Sequence, residues 1–129
     1  MDPTNQINVA FINIRGQTGF NLAKQLQIEE FIRQNRIDIL HLQESNIEEN
    51  TFNDCKLITS SFNLIVNNSQ NKYGTASLVK NEFQAENITM DKEGRVIIFE
   101  IGGVTCGNFY IQSGTDAMSR GRRENYLSK

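Results

Sequence analysis

The sequence predicts an α/β layer protein made of one βαβ unit followed by a meander of short antiparallel strands. Three observations lead there. Two apolar runs, residues 6–14 and 37–43, flank a stretch with helical spacing. They are joined within about 40 residues, the length of a βαβ crossover. Beyond Glu44 the pattern changes to short β-rich segments separated by Gly, Asn and Asp.

Residues 6–14 (Gln-Ile-Asn-Val-Ala-Phe-Ile-Asn-Ile) place Ile7, Val9 and Phe11 on one face and Ala10, Ile12 and Ile14 on the other. This reads as a strand buried on both faces, in a sheet interior. Arg15-Gly16-Gln17-Thr18-Gly19 breaks it. Over 21–34, Leu22 and Leu26, then Ile28, Phe31 and Ile32, form an apolar stripe with Glu29, Glu30 and Arg33 outside. Asn35 is a residue that can end this helix in the left-handed conformation. Ile37–Gln43 is the second strand, closed by Glu44-Ser45-Asn46. Further strands are expected near 56–59, 62–67, 73–80, 86–90, 94–101 and 104–112. Asp91-Lys92-Glu93-Gly94 forms a turn, and Gly102-Gly103 a two-residue hairpin loop. Ser113-Gly114-Thr115-Asp116 offers a cap for a helix over 117–127, and a last strand followed by so fragmentary a helix is expected to leave one sheet face uncovered.

Size and charge narrow the function classes. With 129 residues, 38% of them apolar, the chain builds one modest core. The net charge of −2 gives no general affinity for nucleic acid. Residues 1–64 carry 5 basic and 8 acidic side chains, residues 65–129 carry 8 and 7. Arg120, Arg122, Arg123 and Lys129 make the terminal segment basic, either as a solvated helix face or as a phosphate-facing patch. No apolar run approaches 18 residues, which rules out a transmembrane helix, and no membrane partner is expected. Met1-Asp2-Pro3-Thr4 carries no secretory signal, so Cys55 and Cys106 are expected as reduced thiols and the two Asn-x-Ser/Thr sequons as chance. Gly102-Gly103 is followed by neither Lys-Ser/Thr nor a helix, so no small-molecule cofactor cradle is expected.

Parallel strands put Asn13 and Glu44 at the same carboxyl edge of the sheet, where ligand sites in such sheets open. Glu44 is either a solvated strand-end carboxylate or a ligand for a hard cation such as Mg2+. Asn13 either satisfies backbone groups or orients a ligand. His41, the single histidine, alternates with Leu40 and Leu42 and reads as a hydrogen-bonded core residue; any histidine base would have to be this one.

The motifs, taken in order, resemble the endonuclease/exonuclease/phosphatase superfamily. Asn13-Ile14-Arg15-Gly16, a helix, and Ile37–Gln43-Glu44-Ser45 are similar to its Asn-x-x-Gly and Leu-Gln-Glu-Thr strand ends. Tyr73–Val79 is similar to its Gly-rich strand, Asp91–Ile97 to its turn-plus-strand, and Asn108–Ser113 to its Asn-x-Tyr-x-Pro-Asn/Ser element. The continuation through Arg120, Arg123 and Tyr126 looks most like the apurinic-type endonuclease domain of LINE-like retrotransposons. The resemblance implies half of a four-layer α/β sandwich, with residues 1–129 a partial domain whose C-terminal half is absent. It implies Mg2+-dependent hydrolysis of DNA inside the cell, in the nucleus. Glu44 and Asn13 would serve the metal, Tyr110 the scissile phosphate, and Arg95 and Ser113 the substrate.

This sequence departs from the family pattern at Arg15, at Gln112 in place of Pro, and at Ser113 in place of Asn. It also contains no Gly-Asp-x-Asn to position the water and no terminal Asp-His pair. The chain by itself is therefore expected to be inactive. Two alternatives remain: a non-catalytic fragment that binds protein or nucleic acid, and a sister phosphatase of the same superfamily. Oligomeric state is open.

Overall fold

The structure, a computed structural model, describes residues 6–14, 21–45, 47–68 and 74–111. The elements in chain order are β1 (Val9–Asn13), α1 (Leu22–Asn35), β2 (Ile39–Gln43), α2 (Lys56–Ser61), β3 (Phe62–Asn68), β4 (Gly74–Lys80), β5 (Glu86–Met90), β6 (Val96–Ile101) and β7 (Val104–Phe109). They form a four-stranded sheet of order β1-β2-β4-β3 and a three-stranded sheet of order β5-β6-β7. The predicted α/β architecture holds: β1 and β2 are parallel across α1, and every other pairing is antiparallel.

Alternation decides the layers. Leu40, Leu42, Ala76 and Leu78 point from the central strands to one face, where they bury Ile28 and Ile32 of α1 and Ile58 of α2. Ile39 and Val79 point the other way and meet Ile97, Phe99 and Ile101 of β6. The order is thus helices, first sheet, second sheet. Val104 and Phe109 of the second sheet are 61% and 46% exposed, and no helix among the described residues lies over them.

β1 is an edge strand rather than an interior one. Ala10 and Ile12 pack on the helix-side core, but Val9 and Phe11 remain exposed on the opposite face. Both faces read as apolar in sequence; the second sheet sits over β2 and β4 and leaves that face of β1 open. The register of β1 on β2 is pinned at its start by Asp38, whose Oδ2 accepts from Asn8 N at 2.8 Å and whose own N–H donates to Asn8 O at 2.8 Å.

Two other local expectations change. Asn21 caps α1 by accepting from Lys24 N, but the left-handed residue at the far end is Arg36 (φ 50°), not Asn35. The Ile37 N–H reaches back to Ile32 O at 3.1 Å, and both side chains enter the core. Residues 56–61 form the helix α2 instead of a strand. Glu29 explains it: its Oε2 accepts from Leu57 N at 3.0 Å and Ile58 N at 3.3 Å, capping α2 from a residue 28 positions away. The expected turns at 91–94 and 102–103 are present, with Gly94, Gly102 and Gly103 all at positive φ. The proposed helix after 116 lies outside the described residues, as do Arg15, Ser113 and the basic terminal side chains.

Candidate active site

The carboxyl ends of β1 and β2 build the candidate site. Asn13 pairs in register with Gln43, Gln43 with Thr75 at the start of β4, and Thr75 with Asn67 on β3. This row of four polar residues crosses the first sheet on the face turned toward the second. In the row beneath it, Phe11, His41, Ser77 and Ile65 are aligned the same way.

Glu44 follows directly. It sits at φ 50°, a left-handed backbone that costs a non-glycine residue about 1–2 kcal/mol. The turn takes its half-buried carboxylate out of the strand direction and toward the end of β7. There Tyr110 Oη donates to Glu44 Oε1 at 3.1 Å. Tyr110 is itself buried, and its N–H donates to Arg95 O at 2.7 Å.

Arg95 is placed by the turn that precedes β6. Asp91 Oδ1 accepts from Arg95 N at 2.9 Å, Val96 N at 3.1 Å and Asn67 Nδ2 at 3.0 Å. One carboxylate oxygen therefore folds the turn and ties it to β3. The Arg95 guanidinium contacts Glu93 Oε2 at 3.3 Å and is largely shielded from solvent. Among the described candidates, Glu44 and Tyr110 meet directly, Arg95 joins them through backbone, and Asn13 stands beside Gln43, the residue preceding Glu44.

His41 belongs to the core. It is 1% exposed, its Nδ1 lies 2.7 Å from Ser77 Oγ, and its ring stacks on Phe11 at 4.7 Å. Burial lowers its pKa to about 4, so it is neutral at pH 7. Burial raises both cysteine thiols above their ordinary value, which leaves them protonated and poorly nucleophilic. The apolar cleft of about 280 Å³ lined by Ile12, Ile14, Lys24 and Phe31 opens on the helix side of β1, away from Asn13.

The donor set fits a hard cation in kind. A carboxylate oxygen and an amide oxygen are the ligand types Mg2+ accepts while keeping several waters. Among the described residues no cluster of three or more His, Cys, Asp or Glu forms a closed cage. No helix among them is long and apolar enough to cross a membrane.

Two contributors were not singled out by the sequence reading. Gln43 Nε2 donates to Phe109 O at 2.7 Å. Asn108, fully buried, donates through Nδ2 to Leu42 O at 3.2 Å and Ala76 O at 2.9 Å. An amide inside an otherwise β-rich run was the available signal for each.

No protein-family description and no curated protein matches the chain by sequence. Solved structures do match by fold. An AP endonuclease from Archaeoglobus fulgidus aligns with a TM-score of 0.73 at 19% identity over 95% of this chain and 49% of its own. The 3′ phosphatase NExo from Neisseria, bound to a product DNA hairpin, gives 0.71 at 20% identity over 95% and 49%. TDP2 from Caenorhabditis elegans gives 0.70 at 23% over 95% and 40%. The chain spans about half the length of the first two, and over that half it shares their α/β fold.

Proposed function

We propose that this chain carries the metal- and phosphate-holding half of a Mg2+-dependent DNA phosphodiesterase, of the endonuclease type found in LINE-like retrotransposons. One observation carries the reading: Tyr110 and Glu44, from different sheets, are joined at 3.1 Å where the parallel strands end. The fold shared with nucleic-acid-processing structures supports DNA as substrate, and the residue pattern around Glu44 and Asn108–Ser113 supports the endonuclease branch.

In this reading Glu44 holds the cation with Asn13 beside it. A bound divalent cation would neutralise charge on the phosphoryl oxygens and acidify its water. Tyr110, fixed by Glu44 and by the backbone of Arg95, orients the scissile phosphate. Arg95 and Ser113 are assigned to substrate binding by the residue pattern alone. The base must come from elsewhere, because the single histidine is locked against Ser77 in the core. General-base assistance is worth about 10²–10⁴-fold, so the 129-residue chain alone is inactive in this account.

Nicking of supercoiled plasmid in Mg2+ tests this, comparing the chain, the chain extended along its own reading frame, and the extended chain with Glu44→Ala. Nicking only by the extended wild type is expected. Nicking by the short chain would overturn the half-site assignment. An extended chain that binds DNA without nicking it would support a non-catalytic binding module. Preferential release of a 3′-terminal phosphate would favour the phosphatase alternative, the activity named for one fold neighbour.

A further inference from the structure

We infer that Gln43 and Asn108 are positioning residues that set the register in which Glu44 meets Tyr110, an inference that rests on the proposed role of this pair at the site. Three consecutive residues at the end of β2 bond to three consecutive residues at the end of β7, each pair 66 positions apart. Asn108 donates to Leu42 O, Gln43 donates to Phe109 O, and Tyr110 donates to Glu44 Oε1. The described strands of the two sheets share no backbone ladder, so these three bonds, with the apolar contacts and the Asn67 tie between the sheets, set how β7 lies along β2.

The alternation of the strands makes the arrangement specific. Leu42 turns its side chain to the helices, so only its carbonyl is available to the second sheet, and Asn108 takes it. Gln43 turns toward the second sheet, whereas Phe109 turns outward and offers its carbonyl. Beyond them both chains present side chains, and Glu44 and Tyr110 meet. The Asn108 amide also spans to Ala76 O on β4, the register partner of Leu42, and lies 3.4 Å from Ser77 Oγ, which contacts His41. One buried amide thereby anchors β7 to both central strands. A slip of one residue along β7 would move Tyr110 by about 3.3 Å, the rise per residue of a strand, and break its bond to Glu44.

The two carbonyls also define the amide's orientation. Only an NH₂ group can serve both, so Asn108→Asp would set a carboxylate oxygen against two carbonyl oxygens. Asn108→Ala removes the donors without adding repulsion.

The experiment uses the chain labelled at tyrosine Cζ and reads the Tyr110 resonance at fixed pH, assigned with Tyr110→Phe. Mg2+ affinity is measured by calorimetry alongside. Glu44→Ala gives the reference position for a Tyr110 without its acceptor. Asn108→Ala and Gln43→Ala are expected to move the Tyr110 resonance to that reference and to weaken Mg2+ by about tenfold or more, the scale typical of residues that orient a ligand. Ile32→Val, a helix-side core variant, should move neither. Gln43 is half-buried, and its variant carries the test if Asn108→Ala does not fold. A Tyr110 resonance that stays at its wild-type position in folded Asn108→Ala and Gln43→Ala would overturn the inference. So would an equal displacement in Ile32→Val. Failure of the wild type to bind Mg2+ would remove the cation reading alone, and the Tyr110 resonance would still decide the register.

Discussion

The same two central strands, β2 and β4, present Leu40, Leu42, Ala76 and Leu78 to the helices and His41, Gln43, Thr75 and Ser77 to the second sheet. On the helix side every one of those positions is apolar and fully buried. On the other side Ile39 and Val79 begin as apolar core, and the composition turns polar toward the carboxyl edge. Three polar atoms at or near that edge, Ser45 Oγ, Thr75 Oγ1 and Asn108 Oδ1, are buried without a hydrogen-bond partner among the described residues. Each such atom costs about 1–3 kcal/mol. The contrast separates a face that is wholly apolar from one whose polar edge, next to the Glu44–Tyr110 contact, is buried at a cost in stability.

The largest effect that would sharpen this contrast lies on the apolar face. Leu78→Ala should lower the unfolding free energy by about 2–5 kcal/mol, read by chemical denaturation, with little change in the Tyr110–Glu44 contact. A loss below 1 kcal/mol would mean that the helix-side core is not the stabilising layer.

The polar face should reveal itself through pH. His41 has its pKa lowered to about 4 in the folded chain against 6.5 when exposed. Between these values the unfolded chain binds a proton that the folded chain does not. Stability is therefore fully present above pH 6.5, falls as pH drops toward 4 and loses about 3 kcal/mol in all. Denaturation measured from pH 6.5 to 5, where carboxylates stay mostly ionised, should show this slope, and His41→Gln should remove it. A flat profile in the wild type would place His41 in contact with water.

The smallest effect carries the opposite sign. Thr75→Val keeps the shape of the side chain and deletes a buried hydroxyl that bonds to no group among the described residues, so it should stabilise the fold by about 1 kcal/mol. A destabilisation of that size would show that the hydroxyl has a partner at the site.

The sequence reached the βαβ unit, the meander and both tight turns because periodicity and turn chemistry are local properties. It missed what depends on partners distant along the chain. Leu57-Ile58-Thr59 reads as strand because its residues favour strands; Glu29 caps it into a helix from across the core. β1 reads as interior because both faces are apolar, whereas sheet order, invisible to periodicity, leaves it at an edge. At the candidate site, Glu44 and Asn13 are legible as polar ends of parallel strands, and Tyr110 and Arg95 are proposed only through resemblance. Gln43 and Asn108 went unassigned, since a buried amide in a strand signals its importance only once the carbonyls opposite it are known.

The proposed function requires that the polar edge, and Glu44 in particular, receive a divalent cation. Paramagnetic broadening by Mn2+ in amide correlation spectra of the 129-residue chain tests it most directly, because it locates the ion without requiring turnover. The amides of Asn13, Glu44, Ser45 and Tyr110 are expected to broaden first, and Glu44→Ala is expected to abolish the effect while its spectrum remains that of a folded chain. Broadening centred elsewhere, such as on Glu48 and Glu49, or persisting unchanged in Glu44→Ala, would contradict it.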